Sequence, residues 1–421
     1  MSHINYLLYI SQFNKFLNII RNKIPNVPNL RFSTFTEEWQ QYPLEKIAYF
    51  YKGTGISKDQ LSEDGNECIL YGELYTKYKT ETITEIKSRT NISTKGLFFG
   101  KTNDVIIPAS GETPVDIATA CCVTKDDILF GGDLNIIRLH SDNGSFISYQ
   151  LNGKRKYDIA RIAQGASIVH LHNDDLKKLI IYKPNSLIEQ EIVVEVFTKL
   201  DKRIELQSKI IKEYKTLKNA IINHLFFCNS NLDEKIKLSK FATLRNGYAF
   251  KSSDYTDNGN YNILTIANVK GDRYIYASEC NKIGEIPKDI QNHQILKIND
   301  ILISLTGNVG RVSLVNIDNC LLNQRVGVLS ILDENYREYI FQVISSKHFE
   351  NKMILKGQGA AQKNIGNDDI ESFDIPFSKN HLYMNKLVNL LVSFDKKIAT
   401  EEQILNDYQS QKKYLLNNMF I

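Results

Sequence analysis

The sequence predicts an α/β (α+β) chain of two globular halves, joined and separated by two long antiparallel coiled-coil helices in a pseudo-two-fold internal repeat. Three observations carry that reading. One long unit is written twice, a segment of strict 3-4 apolar spacing closes each copy, and the text between is cut into short apolar runs by Gly, Asn and Asp.

The duplication runs at an offset of 194: Gln358 answers Gln164, and Asn367, Asp368 and Asp369 answer Asn173, Asp174 and Asp175. KLDKRI from Lys199 returns as SFDKKI from Ser393, Tyr214 as Tyr408, and HLF from His224 as NMF from Asn418. Upstream the register still holds, with LEKIAYFYKGTGIS from Leu44 answering LSKFATLRNGYAFK from Leu238. With small gaps, DVIIPASGET from Asp104 matches DILISLTGNV from Asp300. A single long duplication of this kind differs from a solenoid of short repeats. It points to a two-fold-related target.

The elements follow in chain order. Residues 1–26 form an N-terminal extension in which Ile10, Phe13, Leu17, Ile20 and Ile24 fall at helical spacing, so an amphipathic helix packing on the body is expected. The start has no basic segment followed by an uninterrupted apolar run, so it does not read as a signal peptide. Residues 27–185 and 232–378 carry runs such as DVIIPA, DILFGG, DILISL and VGVLSI, which read as short strands with few helices.

Residues 186–227 and 380–421 read as the two long helices. In the first, Val193, Phe197, Leu200, Ile204, Ile211, Tyr214, Ile221 and Leu225 form a heptad seam broken by Gln207 and Lys218. In the second, Leu387, Leu391, Phe394, Ile398, Leu405, Tyr408, Leu415 and Met419 repeat it, with breaks at Glu401 and Lys412. Matched seams with matched breaks predict two helices packed on each other as a free-standing pair, rather than each on its own globular half. Some 38 helical residues would give a rod of about 57 Å. Flanking Val196 and Ile210 would leave a second apolar face for partner proteins.

Composition narrows the class. At 421 residues the chain is long enough for two to three domains, and 42% apolar content is ordinary for a globular protein. A net charge of +4 is permissive of nucleic acid without being diagnostic. Six cysteines without a C-x-x-C suit reduced thiols in a cytoplasm. No run reaches membrane-spanning length, so no membrane association is expected.

Motifs for chemistry are missing from the text. GQGAAQKNIGNDDI, from Gly357, has neither a third phosphate-loop glycine nor Gly-Lys-Ser/Thr, and reads better as a tight turn or a backbone approach to DNA phosphate. The chain has no Pro-Pro, hence no Asn/Asp-Pro-Pro-aromatic loop to hold a flipped adenine. Glu85-Ile86-Lys87 offers only the end of an acidic nuclease motif, with Asp64 as its best upstream partner. His170 and His172 read as two rings on one face of a strand, and Asn173-Asp174-Asp175 as a turn leading into a strand. No catalytic residue and no metal site is assigned.

From about Val27 onward the chain resembles the specificity subunit of type I restriction-modification systems. The resemblance rests on VPNLRFSTFTEEWQQYPLEKI, the following G-x-x-I-S-K, DILISLTGNVGR with its later LLNQRVGVL, and GQGAAQKNI leading into a last heptad helix with S-F-D-K-K-I. It implies two target-recognition domains, 27–185 and 232–378, each reading one half of a bipartite double-stranded DNA target. It also implies spacer helices that dock two modification (methyltransferase) subunits, with restriction (translocase-nuclease) subunits joining the complex. On that reading the chain is not an enzyme and holds no cofactor. S-adenosylmethionine, ATP and Mg belong to the partner subunits. The first half departs from the second, with PASGET where the second has the SLTGNVG turn and GGDLNI where it has LNQRVG.

Residue types near turns then supply candidate DNA contacts. Arg and Gln suit bidentate pairing with base edges, while Lys, Ser and backbone amides suit phosphate. In the first domain these are Lys52, Ser57, Lys58, Tyr75, Lys77, Lys79, Arg89 and Lys101, with Lys87 and Lys95 nearby. In the second they are Arg245, Tyr248, Lys251, Ser252, Arg273, Tyr274, Thr306, Asn308, Arg311, Gln324, Arg325 and Lys363, with Lys270, Tyr276, Lys356, Gln358 and Gln362 beside them.

Overall fold

The computed structural model describes residues 26–421 apart from 79, 166–167, 229–231, 233, 277–279 and 358–363. The expected N-terminal helix therefore lies outside the described residues, as do Lys79, Gln358, Gln362 and Lys363. The chain divides into two compact units, 1–208 with 404–421, and 209–403. Both boundaries fall inside the long helices α1 (Leu187–Ile222) and α2 (His381–Asn418), so each unit holds a stretch of both.

In the first unit a five-stranded sheet runs in the order Ala48–Lys52, Leu134–Leu139, Asp104–Pro108, Cys121–Val123, Thr82–Ile83. Continuous apolar text explains its centre: every residue of Asp104–Pro108 and Cys121–Val123 is buried. A second sheet is built from Leu61–Ser62, Ser88–Thr90, Asn66–Ile69, Ile128–Phe130 and Phe99–Gly100. The second unit repeats the plan. One sheet joins Ala242–Asn246, Val326–Ile331, Ile301–Ser304 and Val312–Leu314; the other joins Asn281–Ile283, Tyr261–Leu264, Cys320–Leu322 and Ile295–Leu296.

The repeat survives in the strand register. In the first unit Gln40–Pro43 pairs antiparallel with Ile180–Lys183, setting Gln40 opposite Lys183. In the second, Glu234 stands opposite Phe377, each partner shifted by the same 194 positions. Gly53 and Gly247 also correspond. A Cβ at Gly53 would stand 2.0 Å from the Gly131 carbonyl oxygen, and one at Gly247 2.2 Å from that of Asn323. Close backbone approach demands glycine at both places.

Three expectations need correction. Asn173-Asp174-Asp175 does not turn straight into a strand: it opens a short helix, Asn173–Leu176, and its copy opens Asn367–Glu371. The carboxylates sit in the first turn, where the helix dipole favours negative charge. Asn173 and Asn367 instead donate to the carbonyls of Tyr51 (3.0 Å) and Leu244 (3.2 Å), tying the short helix to the neighbouring strand. Next, each half carries core helices that strand-like text concealed, Gly144–Asn152 in the first and Arg337–Ile344 with Lys347–Lys356 in the second. Finally, the long helices are not free-standing. Val193, Phe197, Leu200, Leu415 and Met419 pack into the first unit's core with Trp39, Phe146 and Phe420; Met384, Leu387 and Leu391 pack into the second's with Phe226 and Phe349. The seam therefore serves both the helix pair and the domain packed against it.

Ser186 and Asn380 start the two helices, their side-chain oxygens accepting from the amides of Glu189 (3.3 Å) and Tyr383 (3.1 Å). The VPNLRF strap is clamped at the same end of the first unit. Arg31 makes two bonds to the buried Glu189 carboxylate (2.7 and 2.8 Å), Trp39 Nε1 donates to it as well (3.0 Å), and the Leu30 amide donates to the Asn418 carbonyl (2.8 Å). Among the described residues no helix is long and apolar enough to cross a membrane.

Candidate nucleic-acid interface

Backbone bonds bring the second unit's candidate residues together from four separate loops. The Tyr248 amide donates to the Leu322 carbonyl (2.8 Å) and the Gln324 amide to that of Tyr248 (2.9 Å). From there Leu305 donates to Arg325 (3.0 Å), Ile365 donates to Leu305 (3.0 Å), and Thr306 bridges Asn364. The result is one rim with Tyr248, Thr306, Asn308, Gln324 and Arg325 on it. Asn308, Gln324 and Arg325 are exposed there, as is Arg245 at the end of its strand.

The turn that carries Thr306 and Asn308 is held from inside. Ser304 Oγ donates to the Asn308 carbonyl (2.5 Å) and accepts from the Arg311 amide (3.0 Å), and Gly307 and Gly310 have φ of +70° and +77°. Arg311 lies against Gly271, which brings the Lys270–Tyr276 loop beside the rim. Lys251 and Ser252 open a short exposed turn next to Tyr248, whose hydroxyl donates to Asp289 (2.7 Å).

In the first unit most candidates border the smaller five-stranded sheet. Lys58 and Lys101 are exposed on segments leading into and out of it; Arg89 lies within it. Lys77 reaches it through Ser88 (2.8 Å), Lys87 donates to the Lys77 carbonyl (3.0 Å), and Tyr75 is half-buried on the same turn. Lys52 is exposed at the end of Ala48–Lys52, and Ser57 on the loop that follows.

Pairing sorts the cations. Lys77 is held by Glu73, Arg89 by Glu67 (3.2 Å), and Arg311 by Glu350 (3.5 Å). Lys52, Lys58, Lys101, Arg245, Lys251 and Arg325 have no carboxylate partner among the described residues, which leaves their charge for an external anion. Lys125, in the bend before Ile128–Phe130 and paired with Glu67 at 3.2 Å, was not singled out by sequence. His170 and His172 do share a face, their rings stacked 6.4 Å apart.

One candidate has a different environment. Arg273 is turned inward, with two 2.8 Å bonds to Glu338 and a third to Asp395 of α2. Burial works against its charge, but Glu338 and Asp395 outweigh it and raise the guanidinium pKa. Its neighbour Tyr274 stays exposed.

The heptad breaks find their physical reason beside it. Lys218 of α1 pairs with Asp395 of α2 at 2.5 Å, and Gln342 donates to the same carboxylate (2.7 Å). In the first unit the copies, Lys412 of α2 and Asp201 of α1, pair at 2.6 Å, with the Tyr149 hydroxyl donating to Asp201 (2.7 Å). Glu81 adds a second carboxylate to Lys412 (2.5 Å). Burial lowers the pKa of Lys218, whereas Lys412, equally enclosed, is held up by its two carboxylates. Burial pushes the Glu81 carboxyl above its usual range against the pull of Lys412. The repeated Asp in K-L-D-K-R-I and S-F-D-K-K-I, at the same offset as the repeated Lys, was the available signal for these pairs.

Comparison with known proteins gives this geometry its context. Residues 233–407 match the family model described as the Type I restriction modification DNA specificity domain. Over 298 residues, 65% of this chain and 68% of the relative, the sequence is 24% identical to the Type I restriction enzyme MjaVIII specificity subunit of Methanocaldococcus jannaschii. The fold is similar to the type I restriction-modification S subunit from M. genitalium, with a TM-score of 0.55 at 15% identity over 94% of this chain and 99% of that one. It is also similar to a chain solved in work on complex assembly and conformational transition of the type I R-M system, with a TM-score of 0.55 at 14% identity over 91% and 97% of the two chains. Residues 233–407 thus match a type I DNA specificity domain, and the chain as a whole is similar to the specificity subunits of type I restriction-modification systems.

Proposed function

We propose that the chain reads a bipartite DNA target, one half-site per globular domain, and carries no catalytic activity of its own. The observation that carries this reading is the rim of the second unit. Four loops are laced by backbone bonds so that Gln324, Arg325, Arg245 and Asn308 are presented together on a rigid base. Preorganised Arg and Gln side chains suit base edges, and uncommitted lysines such as Lys251 suit phosphate. The first unit repeats the plan around Lys52, Lys58 and Lys101. Different turn sequences in the two halves would read different bases.

Two modification subunits would dock on the long helices. Leu187, Ile188, Leu206, Ile210 and Leu217 of α1, with Leu382, Leu390 and Tyr414 of α2, are exposed, and such apolar surface favours partner contact. Val196, by contrast, packs partly on the first unit's core. S-adenosylmethionine, ATP and Mg would be bound by the methyltransferase and translocase-nuclease subunits, and the complex would act on DNA in the cytoplasm. The test is reconstitution. The purified chain alone should neither methylate nor cleave DNA, and adding the modification subunit should give adenine methylation at one split sequence. Turnover by the chain alone, with contaminants excluded, would overturn the reading.

A further inference from the structure

We infer that Glu81 and Arg273 are positioning residues, each indexing the reading surface of its own domain against the helix pair beneath it. The inference rests on the proposed reading of the chain as a split-target specificity subunit, and its argument is geometric.

In each unit the helix pair presents a lysine and an aspartate facing each other, half-buried Lys412 with half-buried Asp201 and half-buried Lys218 with buried Asp395. Each socket also receives a neutral donor from its domain's core helix, Tyr149 in one and Gln342 in the other. The domain then inserts one ionic side chain. In the first unit it is Glu81, which takes the lysine; in the second it is Arg273, which takes the aspartate. Equivalent sockets thus receive keys of opposite charge.

Both keys sit at the foot of segments that bear candidate DNA contacts. Glu81 precedes the strand Thr82–Ile83, between Lys77 and Arg89 in sequence, and its carbonyl accepts from Cys122 (2.9 Å) and Ser148 (2.7 Å) of the core. Arg273 follows Gly271, which packs on Arg311, and its carbonyl accepts from Leu314 (2.7 Å). A shift of the key therefore moves the reading segment. Alternatives to these contacts are poor, because an unpaired charge left in a partly buried socket costs more than a surface pair gains. The domain is held in one orientation.

The experiment uses the full chain reconstituted with its modification subunit on a DNA pool in which spacer length and half-site sequence both vary. Glu81→Gln keeps shape and removes the key's charge; Lys412→Met removes its partner. Both should raise methylation of targets one base pair longer or shorter at least tenfold relative to the preferred spacer. The second unit's half-site should be unchanged. Lys218→Met, at the equivalent helix position, leaves Arg273 on Asp395 and should keep the parental spacer profile. Arg273→Lys should retain more of that profile than Arg273→Met.

A purely structural role would lower methylation of every spacer in proportion and leave the shape of the profile intact. Circular dichroism verifies that each variant is folded, and Trp39 fluorescence adds a check on the first-unit variants. An unchanged profile for folded Glu81→Gln, or equal broadening by Lys412→Met and Lys218→Met, would overturn the inference while leaving the proposed function standing. Failure of the parental chain to direct methylation to any split target would overturn both.

Discussion

Removing the Glu189 carboxylate should uncouple the N-terminal strap from the head of α1. Glu189 is 2% exposed and accepts three bonds, two from Arg31 at 2.7 and 2.8 Å and one from Trp39 Nε1 at 3.0 Å. Arg31 is itself only 7% exposed, so Glu189→Ala strands a buried guanidinium without its partner. Breaking a buried pair from one side costs ~3–5 kcal/mol. The Trp39 N–H loses its acceptor too, which adds to that cost. With an m-value of about 3 kcal/mol/M in urea, the loss of ~3 kcal/mol lowers the unfolding midpoint by about 1 M. Trp39 is the chain's single tryptophan, so its fluorescence follows the first unit alone. Replacing both partners, Arg31→Met with Glu189→Met, strands no charge and should cost less than ~2 kcal/mol, since apolar replacements of buried pairs are often neutral. A single-site loss below ~1 kcal/mol, or a double variant as damaged as the single, would show that the buried ion pair does not hold the strap.

Four further outcomes are expected. Arg325→Ala should cost ~1–3 kcal/mol of specific binding and relax one position in one half-site, as read by methylation of a randomised target pool. Lys58→Ala should weaken binding to all sequences alike and lower the slope of log affinity against log salt by about one in a fluorescence titration. Four residues inserted after Lys212, about 6 Å of helix, should lengthen the recognised gap by one or two base pairs with both half-sites unchanged, provided helicity is retained. Burial pushes the Cys68 and Cys122 thiols up to about 11 and Cys320 to about 12, so brief alkylation at neutral pH followed by mass spectrometry should label exposed Cys228 and spare those three.

Periodic features were legible in the sequence because they are local. The seams through Val193, Phe197 and Leu200, and through Leu387 and Leu391, follow from 3-4 spacing alone, and the duplication predicted a strand register that returns 194 residues later. Lys218 and Lys412 were visible as interruptions, but spacing does not disclose a partner on another helix. Their pairing with Asp395 and Asp201 is a tertiary fact. The same holds for Arg273, whose type and turn context suit DNA but whose side chain meets Glu338 and Asp395. Gly144–Asn152 escaped notice because a helix buried along almost its whole length carries no amphipathic pattern. Nor could sequence separate Arg325, without a carboxylate partner among the described residues, from Arg89, which is held by Glu67. That distinction is made by which strand lies next door.

The decisive experiment on split-target recognition is methylome sequencing of the host with and without this gene. One split adenine-methylated sequence should be present and should disappear on deletion. On complementation with Arg325→Ala, that sequence should reappear with one half-site relaxed and the other intact. A methylome unaltered by deletion, or a continuous rather than split motif, would contradict split-target recognition.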